Sequence, residues 1–284
     1  MPLLISNSLI DRYAAGPSVN RTAAVKTLQE NIRKALSEAA GAEFDTFLQG
    51  SYRNGTAVAD INDVDIVALY DPWSAPINHS DWERLFQKVA TILETSWRVT
   101  GAAKIGDKCV RLSDSLKADV VPAISRSPYS TRDPIIIYSR SAWQERPNYP
   151  RTHYDNGVLK QKSTQDTFKA TVRLFKRWVR QYPGLDAPSF YIECAVHSVD
   201  SGHFNSYLPL SFSGVALKIV EYSRYSVIMS VAGDKDILTS TEWDSYAFLE
   251  FQARLRSDVR LVIEAMQAST VAEADRLWKL AFGE

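Results

Sequence analysis

Three aspartates lie near the starts of two segments that have the composition of β-strands. Asp63 and Asp65 belong to DVDIVALY, and Asp119 belongs to KADVVPAI. Because side chains alternate along a strand, Asp63 and Asp65 project from one face, while Val64 and Ile66 point to the other. Two carboxylates one pleat apart repel each other unless a cation lies between them, and Mg²⁺ is commonly bound by one or two carboxylates together with substrate phosphates. If the two strands are neighbours, the three aspartates could hold two metal ions for a displacement at phosphorus.

A segment rich in turn-forming residues, GSYRNGT, precedes these aspartates. Gly50 lies 13 residues before Asp63 and is followed by Ser51. Glycine lets backbone N–H groups approach phosphate oxygens, and the serine hydroxyl is a further donor. Two plainer interpretations compete with this one: the polar face of an edge strand for DVD, and an ordinary turn between a strand and a helix for Gly50–Ser51. The chain has no GxxxxGK[ST] sequence, so this segment is not a P-loop.

Together these residues resemble the signature of the DNA polymerase β-like nucleotidyltransferases, and GSYRNGT…DINDVDIV is similar to the bacterial cGAS/DncV-like nucleotidyltransferases, or CD-NTases. The resemblance covers most of the chain. It implies an α+β fold: a polymerase β-like core of mixed sheet with flanking helices, a C-terminal helical lobe, and an active site in the cleft between them. It also implies Asp63, Asp65 and Asp119 as the catalytic, metal-binding triad for two Mg²⁺ ions, with Mn²⁺ as a substitute. Gly50 and Ser51 would then bind the donor phosphates.

A basic stripe follows one edge of the helix predicted within TFKATVRLFKRWVRQ. At 100° per residue, this edge carries Lys169, Arg173, Lys176 and Arg180. The stripe is either the solvated rim of an amphipathic helix or a surface for polyphosphate, whose charge would offset the repulsion between these side chains. In the resembling family the corresponding helix has a lysine that contacts the donor triphosphate, which implies this role for Lys176.

The segment GLDAPSFYIECAV begins the next predicted helix. Pro188 suits a first helical turn, so Ser189 lies where free N–H groups point outward. At this place the family has a small polar residue, then an aromatic residue, then a helix with a glutamate. The resemblance therefore implies that Ser189 hydrogen-bonds the phosphates and that Phe190 stacks on the donor base. The other interpretation places Phe190 and Tyr191 in the core. Stacking accepts any base, so Phe190 would add affinity without selecting the base.

Base choice is linked by the same resemblance to a position just before the basic helix, where uridine-using members have an asparagine. This chain reads LKQKSTQD there, with Gln161 or Ser163 at that position and no asparagine. The resemblance therefore favours purine use at that pocket.

The predicted elements change in character along the chain. In the first half, strands alternate with helices. The sequence predicts strands at 43–48, 63–70, 117–124 (interrupted at Pro122) and 134–139, and helices at 20–40 and 81–95. Residues 139–157 are predicted to be a connection. Helices are then predicted at 164–180, 188–199, 210–227, 243–266 and 271–282. We therefore expect a nucleotidyltransferase lobe over residues 1–155 and a helical lobe over 156–284, forming one bilobal unit.

Composition narrows the class of protein further. The 284 residues carry 33 basic and 33 acidic side chains, so no global charge attracts nucleic acid or an anionic membrane. Two cysteines are too few for a disulfide framework, and no apolar run approaches the length of a membrane span or signal peptide. The four histidines lack the spacing of a zinc site. We expect a cytoplasmic monomer without strong nucleic-acid binding or membrane binding.

The resemblance implies an enzyme that condenses nucleoside triphosphates, with Mg²⁺, into a cyclic di- or trinucleotide second messenger for CBASS-type anti-phage defence. Its product would act on a separate effector protein. One alternative is an RNA- or tRNA-tailing nucleotidyltransferase, which needs the same triad but also a basic channel that the zero net charge disfavours. The other is a catalytically silent nucleotide sensor, which would have no need of three carboxylates.

Overall fold

The computed structural model describes residues 4–40, 43–70, 76, 78–113, 116–125, 133–239 and 241–284. The chain divides into two compact units, each discontinuous in sequence. The helical unit comprises Met1–Gly16, Gly55–Ala59 and His153–Glu284, and the sheet unit comprises Pro17–Asn54 and Asp60–Thr152. The sequence predicted that the first lobe ends at residue 155, and the last segment of the helical unit begins at 153. The predicted first lobe also included 1–16 and 55–59, which are grouped with the helical unit.

In chain order the elements are α1 (Asn7–Ala14), α2 (Val19–Ala40), β1 (Phe44–Gln49), α3 (Gly50–Asn54), β2 (Asp63–Tyr70), α4 (His79–Thr95), β3 (Ala102–Ile105), β4 (Val110–Ser113), β5 (Lys117–Ile124), β6 (Ile135–Ser139), β7 (Gln144–Asn148), α5 (Pro150–Ser163), α6 (Phe168–Val179), α7 (Ser189–Ser198), α8 (Leu208–Ile219), α9 (Ser245–Gln267) and α10 (Val271–Ala281). None of the described helices combines the length and apolar character that crossing a bilayer would require.

The strands form one mixed sheet in the order β1-β2-β5-β4-β3, and β6 joins β5 to β7. Strands β2 and β5 run parallel, and the other described pairs are antiparallel. The alternation of DVDIVALY and KADVVPAI gives one sheet face whose side chains pack with α2 and α4, including Val64, Ile66, Ala118 and Val120. The aspartates of the same strands consequently lie on the other face.

Two predictions were wrong at segments that contain proline: the interruption of the strand at Pro122, and the connection over 139–157. Strand β5 continues through Pro122. On the edge of β5 away from β2, β4 pairs with residues 118–120 and β6 with 123–124, so Pro122 falls in the gap between them. The segment predicted as a connection contains β7 and the start of α5. There, Pro147 lies on β7, which among the described strands is paired on one edge, with β6, and Pro150 is the first residue of α5; both places tolerate the missing N–H.

The helical unit has an apolar core of its own. Trp178 of α6 and Trp243 before α9 are almost completely buried in it, and the Trp178 indole N–H donates to Asp258 over 2.8 Å. Helix α9 begins where the Asp244 carboxylate accepts from the backbone N–H of Tyr246 over 2.8 Å. Helix α8 ends at Ile219, earlier than the predicted 227, and the residues after it form turns.

Candidate active site

Asp65 and Asp119 are direct partners in the parallel pairing of β2 and β5. Asp63 lies two residues before Asp65 and therefore shares its face of the sheet. Asp63 is exposed, and Asp65 and Asp119 are half-buried. The predicted neighbourhood of the two strands is thus confirmed, and the three carboxylates lie on one face near the start of both strands.

Gly50, the first residue of α3, is in contact with Asp65. It follows β1, whose Gln49 is the pairing partner of Asp65. A Cβ placed on Gly50 would clash with Asp65 Oδ2, and the Gly50 φ of +64° is one that other residues rarely adopt. Gly50 and Ser51 were predicted in a turn, and they instead begin a five-residue helix. The glycine is required here by both the close approach and the backbone conformation.

Asp119 also has a basic neighbour on β4. Arg111 is its partner in the antiparallel β4–β5 pairing, and Arg111 Nε lies 3.5 Å from Asp119 Oδ1. The charge of Asp119 raises the pKa of Arg111. Burial, together with the charge of Asp119, raises the pKa of the Cys109 thiol to about 12, so this cysteine stays protonated at neutral pH. The sequence reasoning missed Arg111, because only the strand register places it beside the aspartate.

The donor set of this face suits a hard divalent cation. Carboxylate oxygens are the ligands that Mg²⁺ prefers, and the side-by-side placement of Asp65 and Asp119 produces a repulsion that a cation relieves. Within the described ranges, no three His, Cys, Asp or Glu side chains are gathered closely enough to form a metal site by themselves. The strand register places the three aspartates on one face, and their binding of Mg²⁺ stays a prediction in which nucleotide phosphates complete the coordination.

A buried polar cluster lies inside the helical unit, around Glu193 of α7. The Thr56 hydroxyl donates to Glu193 Oε2 over 2.7 Å, and His153 Nε2 donates to Oε1 over 2.8 Å. Lys176 Nζ lies 3.2 Å from Oε2 and donates to the Thr56 hydroxyl over 3.1 Å. Burial alone would raise the pKa of Glu193, but the charge of Lys176 and the hydrogen bond from His153 outweigh it and lower the pKa to about 2. We name these four residues the Glu193 cluster.

The Glu193 cluster changes the interpretation of the basic stripe on α6. The Lys176 side chain is 6% exposed and ion-paired, so its role as a triphosphate ligand stays a prediction. Arg173 donates to the carbonyl oxygens of Ala14 and Gly55, each over 2.6 Å, and burial lowers its pKa. Both side chains thus stabilise the helical unit.

Lys169 of the same stripe is held differently. It is half-buried, its ammonium lies 5.7 Å from the ring centroid of Tyr154, and its side chain covers Gly55. Burial lowers the pKa of Lys169. Among the residues that the structure describes, it forms no ion pair, so its charge is more accessible to a phosphate than that of Lys176.

Ser189 and Phe190 are both exposed at the start of α7. Pro188 precedes the helix, and the N–H groups of this first turn have no acceptor within it. The Phe190 residue is 39% exposed, whereas Tyr191 is stacked on Trp243 and donates through its hydroxyl to Glu242 over 2.9 Å. Of the two aromatic residues, Phe190 is available to a ligand and Tyr191 is a packing residue.

The two residues proposed for base choice lie at the junction of α5 and α6. Gln161 accepts through its side chain from the backbone N–H of Lys169 over 2.8 Å and donates to the carbonyl oxygen of Asp166. The Ser163 hydroxyl contacts Ser201 over 2.9 Å. Both side chains are therefore engaged in local structure.

Sequence reasoning also missed the Glu193 cluster, although one signal was present. Glu193 is an isolated acidic residue in the apolar run YIECAV, and such a residue is buried only if it is paired. Its partners come from positions 56, 153 and 176, which no spacing rule connects.

Comparison with known proteins agrees with this fold. A family model for the cGAS/DncV-like nucleotidyltransferase C-terminal helical domain matches residues 155–259. The chain is 30% identical over 210 residues to a cyclic dipurine nucleotide synthase from Elizabethkingia meningoseptica, covering 62% of this chain and 70% of that protein. It is 29% identical over 242 residues to a cyclic UMP-AMP synthase from Rhodothermus marinus, covering 72% and 81%.

A solved structure of an E. meningoseptica CdnE cyclic dinucleotide synthase with GTP and Apcpp has a TM-score of 0.71 and 26% identity, covering 88% of this chain and 97% of that one. The mixed sheet with its aspartate pair and the helical C-terminal part define a polymerase β-like nucleotidyltransferase. The chain belongs to the cGAS/DncV-like nucleotidyltransferase family. The predicted α+β fold class, with a polymerase β-like core and a C-terminal helical lobe, is confirmed, as is the resemblance on which it rested.

Proposed function

We propose that this enzyme condenses nucleoside triphosphates into a cyclic di- or trinucleotide, with Mg²⁺ as the metal and Mn²⁺ as a substitute. The pairing of Asp65 with Asp119, with Asp63 on the same face, is the observation that carries the proposal. The named products of the two relatives, cyclic UMP-AMP and cyclic dipurine nucleotides, support the same reaction class.

In the proposed reaction, a ribose hydroxyl of the acceptor nucleotide attacks the α-phosphorus of the donor. The new bond is a phosphodiester, the bond between the α-phosphorus and the bridging oxygen breaks, and pyrophosphate leaves. The Asp119 carboxylate takes up the proton of the attacking hydroxyl. Bound Mg²⁺ would supply neutralisation of the phosphate charge. A second round of the same transfer closes the ring, and the barrier falls mainly through positioning and electrostatics.

The remaining residues are proposed as nucleotide ligands. The backbone N–H groups at Gly50 and the Ser51 hydroxyl donate to donor phosphates. Ser189 does the same from the first turn of α7, and Phe190 stacks on the base. We propose Lys169 as a triphosphate contact beside the predicted Lys176, since of these two lysines only Lys176 forms an ion pair with a carboxylate among the described residues.

The biological setting is proposed on the family relationship. The enzyme would act as a cytoplasmic monomer in CBASS-type anti-phage signalling, and its product would bind a separate effector protein. Neither membrane binding nor strong nucleic-acid binding is needed for this role.

The deciding experiment is incubation with all four nucleoside triphosphates and Mg²⁺, followed by phosphatase treatment and mass spectrometry. We expect a phosphatase-resistant product with the mass of a cyclic oligonucleotide. Asp63→Asn should reduce its formation more than about a hundredfold, because a carboxylate ligand is lost. Asp45→Asn is the matched control, because that side chain is 67% exposed on β1. Label transferred to added RNA without a cyclic product would overturn the proposal in favour of a tailing enzyme.

A further inference from the structure

A loop of the helical unit brings Lys235 to the exposed ring of Phe190. The Lys235 ammonium lies 5.7 Å from the Phe190 ring centroid. The Phe190 residue is 39% exposed, and the Lys235 side chain is 40% exposed. The ammonium lies over the ring, so a planar group that stacks on Phe190 comes within reach of a positive hydrogen-bond donor.

The loop that carries Lys235 is anchored on both sides. Ile228 and Ile237 are buried in the core of the helical unit, and the Ile237 N–H donates to the Ile228 carbonyl over 2.8 Å. The Ser230 N–H donates to the carbonyl oxygen of Lys235 itself, also over 2.8 Å. The backbone position of Lys235 is thus defined by the fold.

The ammonium is oriented by one carboxylate. Lys235 Nζ lies 2.9 Å from Glu242 Oε2, and the same oxygen accepts from the Tyr191 hydroxyl over 2.9 Å. Across the described part of the chain, this is the one ion pair that Lys235 makes. An ammonium has three donors, so Lys235 retains donors for a ligand while Glu242 fixes its direction.

We infer that Lys235 selects the nucleobase that stacks on Phe190, favouring guanine or uracil over adenine or cytosine. This inference rests on the proposed function. Guanine carries a keto oxygen at C6 and uracil carries one at C4, and each oxygen accepts from an ammonium. Adenine and cytosine present an amino group at the corresponding position, and two donors facing each other do not form a hydrogen bond. The selectivity comes from the edge of the base, since stacking on Phe190 accepts all four.

The test measures the affinity of the intact enzyme for the α,β-methylene analogues of GTP, UTP, ATP and CTP by calorimetry with Mg²⁺, so that no turnover occurs. We expect the wild type to bind the two keto-base analogues about tenfold more tightly than the two amino-base analogues. Lys235→Met should remove this preference, and Lys235→Arg, which retains donors, should restore it. Lys218→Met is the control, because Lys218 is a surface lysine of α8 that pairs with Glu221 just after the helix.

Thermal unfolding of each variant shows whether the fold is retained. A Lys235→Met enzyme that weakens all four analogues equally would identify Lys235 as a phosphate contact and overturn the inference. So would a keto-base preference that survives Lys235→Met in the folded enzyme. A wild-type enzyme that binds none of the four analogues would overturn the proposed function together with this inference.

Discussion

Asp65 and Asp119 lie directly opposite each other on parallel strands, although 53 residues separate them in the chain. Parallel pairing sends both side chains to one face, and Gly50 leaves room for the Asp65 carboxylate on the β1 side. Arg111 approaches Asp119 from β4. The acidic site is therefore built by three strand pairings and one glycine, and each of these can be tested separately.

Gly50→Ala should impair both stability and activity. Because Gly50 has a positive φ, any side chain there should lower the free energy of unfolding by about 1 kcal/mol. The added Cβ would also displace the Asp65 carboxylate, and such a shift can lower turnover about a hundredfold. Gly233→Ala is the control for unfolding, because Gly233 also has a positive φ, but an added Cβ there meets no atom of the described residues within 4 Å. Urea unfolding should show a larger loss of free energy for Gly50→Ala, and full cyclase activity in that variant would contradict the proposed geometry.

The two lysines of α6 should separate stability from nucleotide binding. Lys176→Met leaves the Glu193 carboxylate buried without its ion pair, so the free energy of unfolding should fall by about 3–5 kcal/mol. Lys169→Met should change it by less than about 1 kcal/mol but weaken binding of a triphosphate analogue about tenfold. Urea unfolding and calorimetry measure the two effects. The opposite pattern would return the phosphate role to Lys176.

The Glu193 cluster also predicts a specific pH dependence of stability. In the folded state the pKa of Glu193 is lowered from 4.5 to about 2, so its ionisation stabilises the fold above pH 4.5, and this contribution is lost as the pH falls toward 2. The stability difference between wild type and Glu193→Gln should therefore shrink by about 3 kcal/mol across that window. Surface carboxylates titrate in both proteins and cancel. A difference that is constant from pH 7 to pH 2.5 would show that Glu193 is not ionised in the folded protein.

Phe190→Ala should weaken binding of all four nucleotide analogues by about tenfold, since stacking contributes about 1–3 kcal/mol per base without regard to its identity. The loss of a partly exposed ring should leave thermal unfolding nearly unchanged. Tyr246→Ala is the control, because Tyr246 is also an exposed aromatic residue of the helical unit, at 71% exposure. Equal binding by wild type and Phe190→Ala would exclude the stacking role.

Elements with a strong local pattern were predicted well from the sequence. Strand β2 has the predicted bounds Asp63–Tyr70, and α2 and α4 differ from prediction by one or two residues at their starts. The failures at Pro122 and within 139–157 have a common cause. Whether a strand tolerates proline depends on which of its edges is paired, and that is a property of the sheet and not of the segment.

The residue types of the acidic site and the common face of Asp63 and Asp65 follow from the sequence alone, because alternation along a strand is local. Long-range contacts settle the rest. The pairing of Asp65 with Asp119 depends on a register between distant segments. Lys169 and Lys176 lie two helical turns apart on one edge of α6, and helical periodicity cannot distinguish them. Of the two, Lys176 contacts Thr56 and Glu193, which come from distant parts of the chain. Burial beside a carboxylate therefore makes Lys176 a structural residue, whereas Lys169 stays accessible to a ligand.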